Sequence, residues 1–336
     1  MSASSNTNPE PTSTGNGVDS SQAQQVQKLS STTSSVDNYL ASKSRIRTFD
    51  LIEAKRRGQK WAMLTSYDTV SAKIFDRAQI PCLLVGDSAA QAVYGYESTI
   101  PITMDEMIPI VRAVSRSCER ALVVADLPFG SYQESPEVAL RNATRFMKEG
   151  LAHAVKLEGG REYVRQVKLL TQSGIPVMAH LGFTPQSEHQ LGGFRVQGRR
   201  DMESCEIVES AIEMQSAGAF AVVLEMVPPQ VGEKVTENLD IPTVGIGAGP
   251  HCDAQILVWH DMAGFTAPRG RVGGYLSGAA TQQAVPGDRE SCLELNRVPK
   301  FVKRYANLSE TLYKAALEYS NDVASGAYPA DEHCYR

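Results

Sequence analysis

The chain has 336 residues, 42% of them hydrophobic and 21% charged, with a net charge of −5. That composition suits a folded globular protein with one large domain or two ordinary ones. The acidic balance and the lack of a dense basic run exclude nucleic-acid binding as the organising role, and no apolar stretch reaches the roughly 18 residues of a membrane-crossing helix.

Six cysteines (Cys82, Cys118, Cys205, Cys252, Cys292, Cys334) are scattered with no C-x-x-C pair, the pattern of free thiols in a reducing compartment. Residues 2–35 are rich in Ser, Thr, Asn and Gln and nearly devoid of large apolar side chains. Such a segment cannot bury enough surface to offset its ordering entropy, so residues 1–45 are predicted to be a disordered tail. The tail carries Glu10, Asp19 and Asp37 and has no Arg before Arg45, unlike an Arg-rich, acid-poor presequence. Lys55, Arg56 and Arg57 read as a solvated helix end.

Past residue 45, short apolar runs recur, each followed by polar loop residues and then a segment of helical period. In chain order they are Trp61–Ser66, Cys82–Asp87, Ala121–Asp126, Ala154–Glu158, Val177–Gly182, Ala221–Met226, Thr243–Gly247 and Ile256–His260. Continuous apolar runs suit strands buried on both faces of a parallel sheet. Glu137–Gly150, Arg161–Ser173 and Ser204–Gly218 read as amphipathic helices, with Gly150, Gly174 and Gly218 as C-caps. Eight β-then-α units over about 200 residues predict one closed (β/α)8 barrel spanning 46–336, with a surface insertion at about 268–298. An open doubly wound sheet, as in a nucleotide-binding oxidoreductase, is the competing architecture. It lacks support from any early G-x-G-x-x-G. The last two runs lie close together, leaving room between them for a short helix at most.

The ionisable residues fall at the ends of these runs: Asp87, Asp126, Lys156 and Glu158, His180, Glu225, then His260 and Asp261. Strand C-terminal ends share one rim of a parallel barrel, so these residues are expected to converge. Singly, each acid reads as a helix N-cap; together they outline a site. Asp87, Asp126 and Glu158 supply hard oxygen ligands with no thiol among them, which favours Mg²⁺ over Zn²⁺. Lys156 and Glu158 stand two apart on one strand and can both face inward. A cation and Lys156 would relieve the repulsion among buried anions. Such a site suits a 2-oxo acid polarised by a Lewis acid, with Glu225 as the base; its apolar neighbours Val223, Leu224 and Met226 are expected to raise its pKa. The Gly245–Gly249 run reads either as a tight turn or as an anion site.

Several stretches resemble the ketopantoate hydroxymethyltransferase family. They include Thr65–Ser66–Tyr67–Asp68, Val85–Gly86–Asp87–Ser88, Ser98–Thr103, Ala125–Phe129, Val155–Gly160, the long run AHLGFTPQS…LGGFRVQGR from Ala179 to Arg199, and then VLEMVP, GIGAG, QILVWHDMAG, PKFVKRYA and YPADEH, in order over roughly residues 46–336. The resemblance implies a barrel of the phosphoenolpyruvate/pyruvate-like superfamily, related to isocitrate-lyase-like enzymes. It implies transfer of a hydroxymethyl group from 5,10-methylenetetrahydrofolate to 3-methyl-2-oxobutanoate, the committed step toward pantothenate and coenzyme A. By position it assigns Asp87, Asp126 and Glu158 to Mg²⁺, Asp87, Ser88, Asp126, Lys156 and His180 to the oxo acid, and Glu225 to proton abstraction. It also implies a homo-oligomer, often a decamer.

The chain departs from the family's usual Leu-Gly-Met after Ser88, reading Ala89–Ala90–Gln91, and has Ala254 where Gly is common. The tail and insertion point to a eukaryotic, fungal-like member in the mitochondrion or cytoplasm. A folate-independent C–C lyase or mutase on the same barrel, and a catalytically weak oligomeric partner protein, are the rival functions.

Overall fold

The computed structural model describes residues 38–193, 195–266 and 299–325, together with 327 and 333. The tail to residue 37 and the expected insertion lie outside the described residues. The chain divides by contacts into residues 1–38 and the body from Tyr39 onward. Packing in that body starts upstream of the expected boundary at 45. Leu40 is 3% exposed, Arg120 donates to the carbonyls of Leu40 and Lys43, and Arg45 donates to those of Cys118 and Glu119.

The eight strands are β1 (Trp61–Thr65), β2 (Cys82–Val85), β3 (Leu122–Asp126), β4 (Ala154–Glu158), β5 (Val177–Gly182), β6 (Ala221–Glu225), β7 (Thr243–Ile246) and β8 (Ala254–Leu257). They form one closed barrel in sequence order, each parallel to the next, with β8 returning to β1 from Trp61↔Ala254 to Leu64↔Leu257. The open sheet is thereby excluded.

Alternation along each strand sorts the core into two layers. Trp61, Met63, Cys82, Leu84, Leu122, Val124, Ala154, Met178, Ala221, Val223, Val244, Ala254 and Ile256 form one cluster with Leu51 and Ala54 of the first helix, α1 (Thr48–Arg56). That helix stoppers the barrel at the N-terminal ends of its strands. Residues of opposite parity, such as Leu83, Val123, Val155, Ala179 and Val222, pack outward against the surrounding helices.

Most elements fall within two or three residues of prediction. The eighth strand is shifted at both ends. It begins at Ala254, two residues early, because Ala254 pairs with both Trp61 and Val244, and that double pairing sets the register of closure. Val258 ends the strand, and Trp259–Met262 turn into a short helix with Trp259 packed edge-on against Phe75. His260 and Asp261 therefore lie past the strand rather than at its end. Lys55 is not solvated either: it reaches across to Asp253 at 3.0 Å and to the carbonyl of Thr236 at 2.8 Å, tying α1 to the segment before β8. Of the described cysteines, all free, Cys82, Cys118 and Cys252 are buried, whereas Cys205 is exposed. No helix among the described residues is long and apolar enough to cross a membrane.

The outer faces of β1 and β8 are bare at Ala62 and Gln255. The C-terminal helix Leu308–Ser325 has no buried residue.

Gly174 (φ +83°) and Gly218 (φ +101°) adopt the left-handed cap conformation expected of them. Gly150 does not. There the left-handed residue is Leu151 (φ +58°), and Gly150 is required by close approach, since a Cβ would lie 2.7 Å from the Phe146 carbonyl oxygen and 2.8 Å from Val111 Cγ1. Gly150→Ala is expected to cost about 1–3 kcal/mol through overpacking, read as a lower denaturation midpoint with an unchanged m-value.

Candidate active site

The inward parity that is apolar at the bottom of the barrel turns polar at the top. Asp126 continues Leu122 and Val124, Lys156 and Glu158 continue Ala154, His180 continues Met178, and Glu225 continues Ala221 and Val223. Asp87 joins them from the loop after β2. The fold thus converges six of the predicted residues on one mouth. Asp87, Asp126 and Glu158, all buried, bring carboxylate oxygens within 4.8 Å of one another. The backbone N–H of Asp87 donates to Asp126 Oδ2 at 3.2 Å.

Lys156 is the cation within this cage, 2.8 Å from Asp126 Oδ1 and 3.6 Å from Glu158 Oε1. His180 stands beside it, with Nδ1 3.2 Å from Lys156 Nζ and 3.4 Å from Glu158 Oε1. The other ring nitrogen, Nε2, faces Glu225 Oε2 at 3.3 Å, within ion-pair distance but out of hydrogen-bonding line. The Glu225 side chain is the most open of the set, 15% exposed, and its neighbour is this imidazole as well as the apolar residues of its own strand.

The electrostatics show what the cage lacks. Burial, reinforced by the charges on Asp126 and Glu158, pushes the Asp87 carboxyl well above the ordinary carboxylate range against the opposing pull of Lys156 and Gln186. Burial also raises Asp126, with Lys156 opposing and Glu158 adding. At Glu158 burial is outweighed by Lys156 and His180, so this carboxyl sits below its usual value. Burial of the Lys156 ammonium is likewise outweighed by the three acids, which hold it above its usual value. Burial and Lys156 work against the His180 imidazolium, yet the close Glu158 and Glu225 carboxylates lift its pKa to about 9. Three buried carboxyls served by one lysine leave Asp87 without full compensation. An all-oxygen set of this kind fits a hard divalent cation.

Three residues of the site were not anticipated: Gln186, Tyr132 and Gln133. Gln186 donates through Nε2 to Asp87 Oδ2 at 3.0 Å and through its backbone N–H to Glu158 Oε2 at 2.9 Å. Gly182 is held at φ +93° where β5 ends, and a Cβ on it would lie 2.3 Å from the Glu225 carbonyl oxygen. The next residue, Phe183, donates its N–H to that same oxygen at 2.8 Å. Met226, with φ +48°, follows Glu225 in a conformation uncommon for a non-glycine residue and found preferentially at functional positions.

The remaining candidates lie at the margin. Ser88 shares a 2.8 Å hydrogen bond with the Tyr67 hydroxyl and starts a short helix in which Ala89 and Ala90 are fully buried. His260 stacks on Tyr67 with 5.4 Å between ring centroids, and burial pushes its pKa down to about 4. Neither His260 nor Asp261 enters the cage. The Gly-rich run after β7 is a tight turn packed against Pro229 and Phe301.

The profile of the family described as ketopantoate hydroxymethyltransferase matches residues 45–286. The chain belongs to this family. Curated ketopantoate hydroxymethyltransferase relatives, named 3-methyl-2-oxobutanoate hydroxymethyltransferase, include one from Saccharopolyspora erythraea, 56% identical over 87% of this chain and 89% of its own length. Another, from Rhodococcus jostii, is 54% identical over 87% of this chain and 91% of its own. A solved structure of 2,3-dimethylmalate lyase, described as a PEP mutase/isocitrate lyase superfamily member, is a distant likeness: TM-score 0.47 and 19% identity over 83% of this chain and 98% of that one.

In the metal-free chain the raised carboxyls of Asp87 and Asp126 and the raised imidazole of His180 each remove stability as pH rises. Asp87 keeps a proton in the folded chain that the unfolded chain sheds near 3.8, so its contribution falls as pH climbs above that value toward its folded pKa. His180 contributes fully below 6.5 and loses the contribution as pH approaches about 9. Thermal melts in chelator are expected to decline across that interval. Saturating MgCl2 should restore more at about pH 8.5 than at about pH 6, with protons released on binding. A Mg²⁺ effect that is the same at both values would remove the link between ion and cage.

Proposed function

We propose that the chain joins the one-carbon unit of 5,10-methylenetetrahydrofolate to 3-methyl-2-oxobutanoate, giving 2-dehydropantoate, with Mg²⁺ held by Asp87, Asp126 and Glu158. The observation that carries this reading is the juxtaposition of an acidic cage and a more open glutamate on either side of one imidazole. A divalent ion held by Asp87, Asp126 and Glu158 would supply the positive charge that polarises the oxygens of a 2-oxo acid and acidifies its adjacent C–H. Lys156 adds a fixed positive charge beside the same oxygens, and Ser88 offers a hydroxyl at the margin. Glu225 takes the proton from the substrate carbon onto a carboxylate oxygen. His180, between Glu158 and Glu225, keeps the base directed at the pocket and shields it from the charge of the cage. Water adds to the methylene carbon as its two C–N bonds break, so that tetrahydrofolate leaves with a proton on each nitrogen and the carbon remains at the level of formaldehyde. The freed electron pair on the substrate carbon forms the new C–C bond to it, and its oxygen takes the proton held by Glu225 to become the hydroxyl. An intact cage and base also weigh against a catalytically weak partner protein.

Replacing Glu225 by Gln is expected to slow exchange of the substrate C–H in D2O, with MgCl2 and no folate, by about 10²–10⁴-fold. Near-normal exchange in Glu225→Gln would take the base role away. Adding methylenetetrahydrofolate to the parent chain then tests the donor separately.

The reading extends to a homo-oligomer, up to the decamer expected of the family. Its support is the unburied helix Leu308–Ser325, which exposes Leu312, Tyr313 and Leu317, and the stretch of β1 and β8 where outward-facing Ala62 and Gln255 are exposed. Both are surfaces that a barrel ordinarily covers with helix. Sedimentation of the full chain should give a multiple of 36.5 kDa, and truncation before Leu308 a smaller assembly. A monomeric parent chain would overturn it.

A further inference from the structure

The carboxylate cage converges on a side chain that is neither charged nor on a strand. Gln186 lies in the short turn Pro185–Ser187 past β5 and is 4% exposed. Its Nε2 donates to Asp87 Oδ2 and to the Leu127 carbonyl, each at 3.0 Å. Its Oε1 faces the Tyr132 hydroxyl at 2.8 Å and accepts from Gln133 Nε2 at 3.2 Å. Both amide hydrogens and both oxygen lone pairs therefore have a neighbour. The orientation of the amide is settled as well. Turned over, its oxygen would stand 3.0 Å from two acceptors, and its nitrogen would face the Gln133 donor.

Through the side chain and the backbone N–H together, this one residue reaches two of the three carboxylates. The third is tied to the first by the Asp87 N–H on Asp126 Oδ2. Asp87 follows β2 and Glu158 ends β4; β3 stands between them, so no ladder pairing joins the two strands. Among the described contacts, Gln186 is what joins these two side chains. Tyr132 extends the brace, its hydroxyl accepting the Glu158 N–H at 3.2 Å while lying against Gln186 Oε1. The amide is neutral, so it holds the carboxylates without cancelling the charge that a cation would meet.

We infer that Gln186, braced by Tyr132, is a positioning residue that fixes the spacing of the Asp87 and Glu158 carboxylates and thereby makes the cage select a small cation over a larger one. The inference rests on the divalent-ion reading above. Mg²⁺ demands near-ideal octahedral geometry at short distances, whereas Ca²⁺ tolerates looser and larger sites. Loosening the brace therefore penalises the two ions unequally.

Gln186→Met keeps the side-chain length and the backbone N–H on Glu158 but removes the amide. Titration calorimetry of the full chain with MgCl2 alone and CaCl2 alone, without substrate, is the test. The Kd for Mg²⁺ is expected to rise about 10–100-fold while that for Ca²⁺ moves less than about threefold. Tyr132→Phe, which removes only the hydroxyl, should shift the ratio in the same direction by a smaller factor, and it decides alone if Gln186→Met does not fold. A Mg²⁺ Kd within about twofold of the parent's, or equal losses for both ions, overturns the assignment. A parent chain that binds neither ion overturns instead the divalent-ion reading on which the inference stands.

Discussion

Like charges crowded inside a protein organise this molecule. Asp87, Asp126 and Glu158 place carboxylate oxygens within 4.8 Å of each other, with Lys156 the lone ammonium among them. Burying an uncompensated carboxylate costs several kcal/mol even after relaxation. Much of the surrounding detail answers that cost. Lys156 takes Asp126 and Glu158, Gln186 takes Asp87 and Glu158, and His180 relays between Glu158 and Glu225. Asp87 remains the least satisfied, reluctant to ionise because it is buried beside Asp126 and Glu158.

The barrel makes this crowding possible by a simple division along each strand. A period of two sends alternate side chains inward, and the inward series begins apolar and ends charged. The apolar half packs against α1 and supplies stability. The charged half sits where the strands stop, on the rim where barrels of this kind hold their active sites. Glu158 and Lys156 can share a strand with Ala154 because they share its parity, and so they meet Asp126 and His180 from the neighbouring strands at one level.

Much of this was legible in the sequence because the signal is carried by continuous apolar runs with polar ends. The runs marked both the strands and the residues that terminate them, so Asp126, Lys156, Glu158, His180 and Glu225 could be named without coordinates. What escaped was whatever depends on closure or on loops. The register of β8 follows from simultaneous pairing with β7 and β1, which local pattern does not encode, and so Val258 and Trp259 looked like strand. Gln186 and Tyr132 lie several residues beyond their strands, in segments whose path is set by the fold around them. The one hint was that Gln186 sits within an unusual run, Ala179–Ser187, that helix or strand propensity does not explain. Gly150 was expected at a cap for its backbone freedom but is needed for lack of space.

The stopper formed by α1 has a further consequence for the order of events. With one end of the barrel filled by Leu51, Ala54 and their neighbours, the opposite mouth is the way in that the described residues leave. On the function proposed above, the small oxo acid would sit deepest, against the acids, and a bulkier folate donor would have to approach above it. A single doorway would then impose a queue, with the oxo acid seated first and the spent carrier withdrawing before the lengthened acid leaves. On that reading an ordered sequence of binding and release would follow from the barrel's plumbing rather than from any one side chain at its rim.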